Sequence, residues 1–433
     1  MAVFVFSPVD FVFSCFGLPL FITDVVLDAL AVVNFYHERA WVRLSVLLLL
    51  LVGSSVLTQT YSWKWYTGDG LDFKTRVEGA LQKALKTLHV LHLGIYVRHL
   101  GVLEKSIIGF CYQDSESKDV AVELSHDLCM LRLIEAFSES APQIVLGLTI
   151  ILQDGKLDLI TVLKVLCSVG AVAFCVTTYH RSLRSFVRDT IQLSIISSIV
   201  YFLWNLLLLT SRLMALALFA SVLPCFIFAH CFCSWMVFVL FAWRAETHFM
   251  DDTCGERLFR ATVGLIWYFD WFNVIKGKTK KSATLYHSFI LLDICTLCGL
   301  WYWTMNTQPP QFLIPRLYAE ATAGAVVGLY ILGLLVKIIY YKFFHPKLNQ
   351  DDLRGRDSDE VDGLNQDDLR GRDSDEVDGF VLMKASVPRF TPESLRGRYQ
   401  DEPITVRAFT PAAPPQTQHG NKRMRKLAEN FYS

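Results

Sequence analysis

The chain has 433 residues, of which 53% are hydrophobic and 13% are aromatic, and its mean hydropathy is +0.36. Soluble domains usually contain fewer apolar and more charged residues, so the composition indicates a membrane protein. The formal net charge of +0 gives no reason to expect nucleic acid as a partner. Asp10 and Asp24 interrupt the first apolar stretch, so we expect a retained membrane helix there rather than a cleaved signal peptide.

Ten apolar segments precede Lys347, and most approach the roughly 20 helical residues that cross a bilayer core. They are Asp10–Tyr36, Trp41–Trp63, Ala80–Leu103, Val120–Leu152, Leu157–Tyr179, Ile191–Thr210, Leu213–Trp243, Leu258–Ile275, Thr284–Met305 and Leu317–Tyr341. The sequence predicts an all-α polytopic membrane helix bundle.

The basic connections between these segments predict the topology. Basic residues cluster at 64–86, 181–188 and 276–281 and again from Lys342 onward, and such loops usually face the cytosol. Placing all four there predicts about eight spanning helices and two partial or re-entrant ones, with both termini cytosolic. Pro142 should break or kink the fourth segment, and the short eighth segment contains Asp270. One irregular segment in each half suggests a possible inverted repeat.

Ionisable residues recur inside the apolar segments, where each costs roughly 2.5–3.5 kcal/mol to insert. They are Asp24, Asp28, His89, His92, Arg98, His99, Asp127, Arg132, Glu135, Glu139, His180, Arg181, Arg212, Asp270 and Asp293. Pairing that sets the helix register explains any single one of them. As a set, they indicate a polar route for an ionic substrate such as an ion, a solute or a lipid headgroup.

Several tryptophans stand at segment ends, where an interfacial belt is expected. They are Trp41, Trp63, Trp65, Trp301 and Trp303. Neither a catalytic motif nor a paired-cysteine metal site is evident, so we predict no enzyme activity, no cofactor and no metal. Cys295 and Cys298, and the run from His230 to Cys233, lie within apolar segments, where packing is the expected role.

The composition changes after Pro346, which predicts three parts: a transmembrane domain over 1–346, a disordered cytosolic tail over 347–420 and an amphipathic helix over 421–433. The tail contains a perfect tandem duplication, at 348–363 and 364–379. Each copy ends in a DEVD-G sequence. The two sites are Asp359, Glu360, Val361, Asp362 and Gly363, and Asp375, Glu376, Val377, Asp378 and Gly379. An executioner caspase cuts such sites in extended, flexible chain.

The closing helix carries Met424, Leu427 and Phe431 at helical spacing, with basic residues around them. Two hypotheses fit this pattern equally well. In one, the helix is autoinhibitory and plugs a cytosolic cavity of the bundle; in the other, it lies on anionic lipid.

The chain resembles the XK-related membrane proteins. The matching stretches are 130–135, 139–143, 179–181, 199–209, 271–273 with Gly277, and 422–431. The resemblance implies a caspase-activated phospholipid scramblase of the plasma membrane that exposes phosphatidylserine during apoptosis, without ATP. It also implies a single-span immunoglobulin-type chaperone, basigin or neuroplastin, as a partner.

The resemblance assigns intramembrane charges along a lipid path and a tryptophan at the extracellular side. The tryptophan matches Trp41, which the resemblance assigns as a gate. The charges match Asp24, Asp28, Arg98, Asp127, Arg132, Glu135, Glu139, Arg181, Arg212 and Asp293. Thr178 stands where the family pattern has an acidic residue, so the sequence leaves one partner of Arg181 unassigned. A solute or amino-acid transporter and a non-catalytic membrane subunit remain alternatives.

Overall fold

The computed structural model describes residues 8–155, 159–186, 194–245, 247, 249–274, 279–307 and 316–344. The described residues form α-helices with two short π-helical turns and no strand, which confirms the predicted all-α fold. The helices are α1 Pro8–His37, α2 Trp41–Gly68, α3 Arg76–Leu81, α4 Leu85–Val90, α5 Gly94–Cys111, α6 Ser115–Glu135, α7 Ala141–Asp154, α8 Leu159–Phe186, α9 Ile195–Val222, α10 Phe226–Arg244, α11 Thr253–Phe269, α12 Thr279–Thr307 and α13 Arg316–Ile339.

The third predicted segment is wrong as a single helix, because the chain there forms α3, α4 and α5. His92 has a positive φ of 63°, a conformation that no continuous α-helix contains. Gly94, at the start of α5, is approached so closely by the His89 and Gln59 side chains that a Cβ there would lie about 2.5 Å from His89. The break therefore lets the chain pack tightly against α2.

The fourth predicted segment stays continuous through Pro142. A π-helical turn at Ala136–Ser140 joins α6 to α7, and the Ala141 N–H donates to the Ala136 carbonyl. Proline lacks an N–H group and its ring crowds the carbonyl four residues earlier. The wider π turn accommodates both effects, so the proline begins α7 instead of ending the helix.

Helix α9 lies at the centre of the bundle and packs against α7, α8, α12 and α13. In the most apolar 18-residue stretch of α9, two thirds of the residues are buried, compared with 6% in the corresponding stretch of α1. The sixth and seventh predicted segments divide differently from the prediction, because α9 continues to Val222 and α10 begins at Phe226 after Pro224.

Six described helices are long and apolar enough to cross a membrane: α1, α2, α9, α10, α12 and α13. Large apolar side chains are exposed along them, among them Phe228, Phe232 and Leu240 on α10. A surface this apolar is suited to lipid. The chain is therefore a multi-pass membrane bundle.

Candidate functional site: intramembrane charges beside α1

The first group of charges joins α1 to α6. Arg132 lies 2.6 Å from Glu135 and 3.5 Å from Asp24, and its guanidinium is 4.8 Å from the centre of the Phe21 ring. Arg132 is thus held by two carboxylates and one aromatic face. Asp24 still keeps 38% of its side-chain surface exposed, so this ion pair faces the outside of the bundle at α1.

The second group lies one turn further along α1. Glu139 of the π turn is buried. Its carboxylate lies within hydrogen-bonding distance of the Asp28 and Ser54 side chains. The Ser54 hydroxyl is also 2.7 Å from the Ser138 hydroxyl. Asp28 is half-buried, so these polar groups continue the exposed edge that Asp24 begins.

The third group lies near the beginning of α1. Arg181 of α8 is 3.5 Å from Asp10 and donates a hydrogen bond of 2.6 Å to the Ser198 hydroxyl. Thr178, where the family pattern has an acid, donates to the Phe174 carbonyl instead. Asp10 thus supplies a carboxylate for Arg181 that the sequence analysis left unassigned.

These three groups form a series along one helix. Asp10, Asp24 and Asp28 are spaced by roughly 21 Å and 6 Å along α1, at about 1.5 Å per residue. The series is therefore about 27 Å long, close to the roughly 30 Å thickness of a bilayer core. We call it the α1 charge series. It consists of Asp10, Asp24, Asp28, Arg132, Glu135, Glu139 and Arg181.

Arg98 and Asp127 belong to a different environment. Arg98 lies 3.3 Å from Asp127, donates to the hydroxyl and the carbonyl of Ser62, and stacks 4.1 Å from the centre of the Tyr66 ring. Its side chain is only 5% exposed. This pair ties α5 and α6 to α2 and has almost no contact with the surface.

Arg212 and Asp293 form a second interior pair, between α9 and α12. They are 2.5 Å apart, and Arg212 also donates to the Tyr268 carbonyl at 3.0 Å. His230 completes the cluster, 3.1 Å from Asp293 and 2.9 Å from the Tyr268 hydroxyl. His230 lies inside the bundle, as the packing interpretation expects, and it also makes these two polar contacts. The signal that identifies it is a titratable side chain in an apolar helix.

Four of the five tryptophans fall into two sets, and the fifth, Trp63, is half-buried. Trp41, at the turn between α1 and α2, is 56% exposed and meets the Tyr36 ring edge-on at 5.8 Å. Trp303 is also exposed, as an interfacial belt requires. Trp65 and Trp301 are buried inside the bundle, so the belt prediction is wrong for these two. They fill the core instead.

The predicted tail residues lie outside the described residues. They comprise both caspase sites, Asp359 to Gly363 and Asp375 to Gly379, and the closing-helix residues Met424, Leu427 and Phe431.

The α1 charge series and the two interior pairs differ in how far their charges reach the surface. Arg98 and Arg212, at 5% and 1% exposed, hold helices together from the inside. Asp10 and Asp24, at 26% and 38%, face outward while engaging partly buried arginines. Among the described residues, the α1 charge series therefore contains the intramembrane carboxylates most exposed to a molecule moving along the surface of the bundle. Alternating carboxylates and guanidinium groups suit a ligand that carries both charges.

Comparison with known proteins places the chain in a family. The sequence model of the XK-related protein family matches residues 12–346. XK-related protein 8 of Tetraodon nigroviridis is 42% identical over 353 residues, which is 80% of this chain and 86% of that protein. XK-related protein 8 of Pan troglodytes is 32% identical over 362 residues, which is 82% of this chain and 87% of that protein. XK-related protein 9 of Tetraodon nigroviridis is 29% identical over 375 residues, which is 83% of this chain and 95% of that protein. The chain belongs to the XK-related family.

Proposed function

We propose that the chain is an ATP-independent phospholipid scramblase of the plasma membrane, which exposes phosphatidylserine after an executioner caspase cuts its cytosolic tail. The observation that carries this proposal is the α1 charge series. It is long enough to match a bilayer core and is partly exposed on a helix whose other faces are apolar. A headgroup can move along these charges while its acyl chains stay in lipid.

The charge of a phospholipid headgroup fits this series. The phosphate pairs with the guanidinium of Arg181 or Arg132, and an amine pairs with Asp10, Asp24 or Asp28. At the Asp10 group and at the Asp24 group, which lie about 21 Å apart along α1, the headgroup exchanges one ion pair for another, so its charges have partners at both places in the low-dielectric region. Lipids then run down their existing asymmetry, and no energy source is needed.

The tail supplies the proposed control. Cleavage after Asp362 or Asp378 separates residues 421–433 from the bundle permanently. We propose that this closing segment inhibits the intact protein by covering its cytosolic face, and that both termini are cytosolic. A single-span immunoglobulin-type chaperone, basigin or neuroplastin, is the proposed partner for transport to the surface.

The test is scrambling of fluorescent phosphatidylserine in proteoliposomes, measured by dithionite quenching before and after treatment with caspase-3. Scrambling should begin only after cleavage. The matched control is the double variant Asp362→Ala/Asp378→Ala, which should remain intact and inactive. Fast scrambling by the uncut double variant would refute the tail control. Absence of scrambling in the cut protein, with uptake of a solute tracer instead, would favour a transporter.

A further inference from the structure

Phe21 is the one buried side chain of α1 among those that the structure describes. It is 3% exposed, whereas the other described side chains of the helix are half-buried or exposed. Lipid tails are as apolar as the surface of α1, so a helix in a bilayer is held to its neighbours by close packing and polar contacts. Helix α1 therefore packs most closely against the bundle at Phe21.

The Phe21 ring packs against three side chains from two helices. On α5, the His99 ring is stacked on it with the ring centres 4.8 Å apart, and the tilted Tyr96 ring lies at 4.9 Å. On α6, the central carbon of the Arg132 guanidinium lies over the Phe21 ring, 4.8 Å from its centre. A single side chain of α1 is thus fixed against both α5 and α6.

This contact sets the place of a carboxylate on the same helix. Asp24 follows Phe21 by three residues, so the two side chains lie on one side of α1. The Asp24 carboxylate lies 3.5 Å from the Arg132 guanidinium, which is longer than an ordinary hydrogen bond. A small displacement of α1 would therefore separate the two charges. The Phe21 ring holds α1 at the depth and rotation at which Asp24 reaches Arg132.

The Phe21 ring and an anion do not compete for Arg132. An aromatic face attracts the guanidinium through its π electrons, whereas a carboxylate or a phosphate accepts hydrogen bonds from its N–H groups. Glu135 and Asp24 are the carboxylates at these N–H groups. A headgroup phosphate that binds Arg132 displaces a carboxylate, and the contact with the ring stays in place.

We propose that Phe21 is a positioning residue of the α1 charge series. Its aromatic face holds the Arg132 guanidinium while a headgroup phosphate takes the place of the Asp24 carboxylate. Phe21 acts through Arg132 and does not bind the headgroup, because its side chain is buried. This inference rests on the proposed function and adds to it a residue without charge.

The first test is the initial scrambling rate of the caspase-cut protein in proteoliposomes. Phe21→Leu keeps an apolar side chain and removes the ring, and it should lower the rate by roughly ten-fold. The matched control is Phe16→Leu, because Phe16 lies on the same helix and is 60% exposed. An unchanged rate in Phe21→Leu, or an equal loss in the control, overturns the proposal.

A fluorinated series separates attraction of the cation from the shape of the side chain. Phenylalanine analogues with one, two or three ring fluorines are introduced at position 21 by nonsense suppression. Each fluorine withdraws electron density from the ring face and changes the outline of the ring little. The scrambling rate should fall in steps with each added fluorine. The same analogues at position 16 should leave the rate unchanged. Equal rates throughout the series at position 21 contradict a role for the aromatic face.

A thermal comparison assigns the effect to Arg132 and does not depend on transport. The trifluorinated ring should lower the melting temperature in fluorescence-detected size-exclusion chromatography, and it should have no effect in Arg132→Gln, which lacks the cation. Equal shifts in both backgrounds would assign the effect to His99 and Tyr96 and overturn the proposal. If the cut, unaltered protein does not scramble, the proposed function fails together with the transport role of Phe21. The thermal comparison then still decides whether the ring holds Arg132.

Discussion

The Arg212 guanidinium lies 2.5 Å from the Asp293 carboxylate and joins the central helix α9 to α12. Arg212 is almost completely buried, and His230 and Tyr268 surround the pair. The interaction therefore joins four helices, α9 to α12, at one point inside the bundle.

Asp293→Ala should strongly destabilise the protein, because it leaves a buried arginine without its carboxylate. Breaking a buried pair costs about 3–5 kcal/mol. The measurement is the temperature at which the monodisperse peak disappears in fluorescence-detected size-exclusion chromatography. Glu320→Ala is the control, since it removes an exposed Arg316–Glu320 pair and should leave that temperature unchanged. Similar shifts in both variants would contradict an interior structural role for Arg212.

Asp24→Asn should lower the scrambling rate of the caspase-cut protein by roughly ten-fold. The substitution keeps the side-chain volume but removes a charge of the α1 charge series near the middle of α1. Glu135 remains 2.6 Å from Arg132, so the fold should survive. The initial rate of dithionite quenching measures the effect, with Glu320→Gln as the matched carboxylate control. An unchanged rate would exclude the middle of α1 from the path.

Either tail site alone should be sufficient for activation. Both cuts lie before residue 421, so each one releases the same closing segment. The single variants Asp362→Ala and Asp378→Ala should scramble after caspase-3 treatment at the rate of the unaltered protein. Gel electrophoresis of the same samples locates the cut. Loss of activation in one single variant, despite complete cleavage at the other site, would show that the linker itself matters.

Trp41→Ala tests the gate that the family resemblance assigns to this residue. Trp41 lies at the turn that follows α1, beyond the Asp28 end of the charge series. Removing a gate there should let the uncut protein scramble. Trp303→Ala is the matched control, because that side chain is exposed to a similar degree, 62% compared with 56%. Constitutive scrambling in both variants would indicate a general effect of removing surface tryptophans.

Gly264→Ala should destabilise the contact between α10 and α11. A Cβ at this position would lie 2.7 Å from Val239 Cγ2 and 3.0 Å from the Val239 backbone nitrogen. Small residues permit such close helix crossings, and overpacking costs about 1–3 kcal/mol. Gly299→Ala is the control, since nothing lies within 4 Å of its Cβ position and the helix should tolerate alanine. Thermal stability of the purified variants distinguishes the two.

The sequence predicts the helical fold well because each long apolar stretch leads to the same local structure. The prediction is wrong where contacts between distant parts of the chain determine the local structure. The break at His92 follows from packing against α2, and Pro142 begins a helix because a π turn precedes it. Trp65 and Trp301 lie at segment ends in the sequence, but neighbouring helices cover them. Local patterns contain no information about those neighbours.

The candidate site was only partly predictable for the same reason. Spacing identifies Arg132 and Glu135 as helix neighbours, since they are three residues apart. It cannot identify Asp10 as the partner of Arg181 or Asp293 as the partner of Arg212, because these pairs connect distant parts of the chain.

The π turn at Ala136–Ser140 has a consequence for insertions and deletions. It contains one residue more than an α-helix needs over the same path. Deleting that extra residue should therefore restore ordinary α-helical hydrogen bonding while α7 keeps the same face, with Ile144 and Thr149, toward the interior and α9. Deleting a residue within the regular part of α7 instead rotates everything that follows by about 100° about the helix axis. The π turn is thus the place in this long helix where the loss of one residue should be tolerated best.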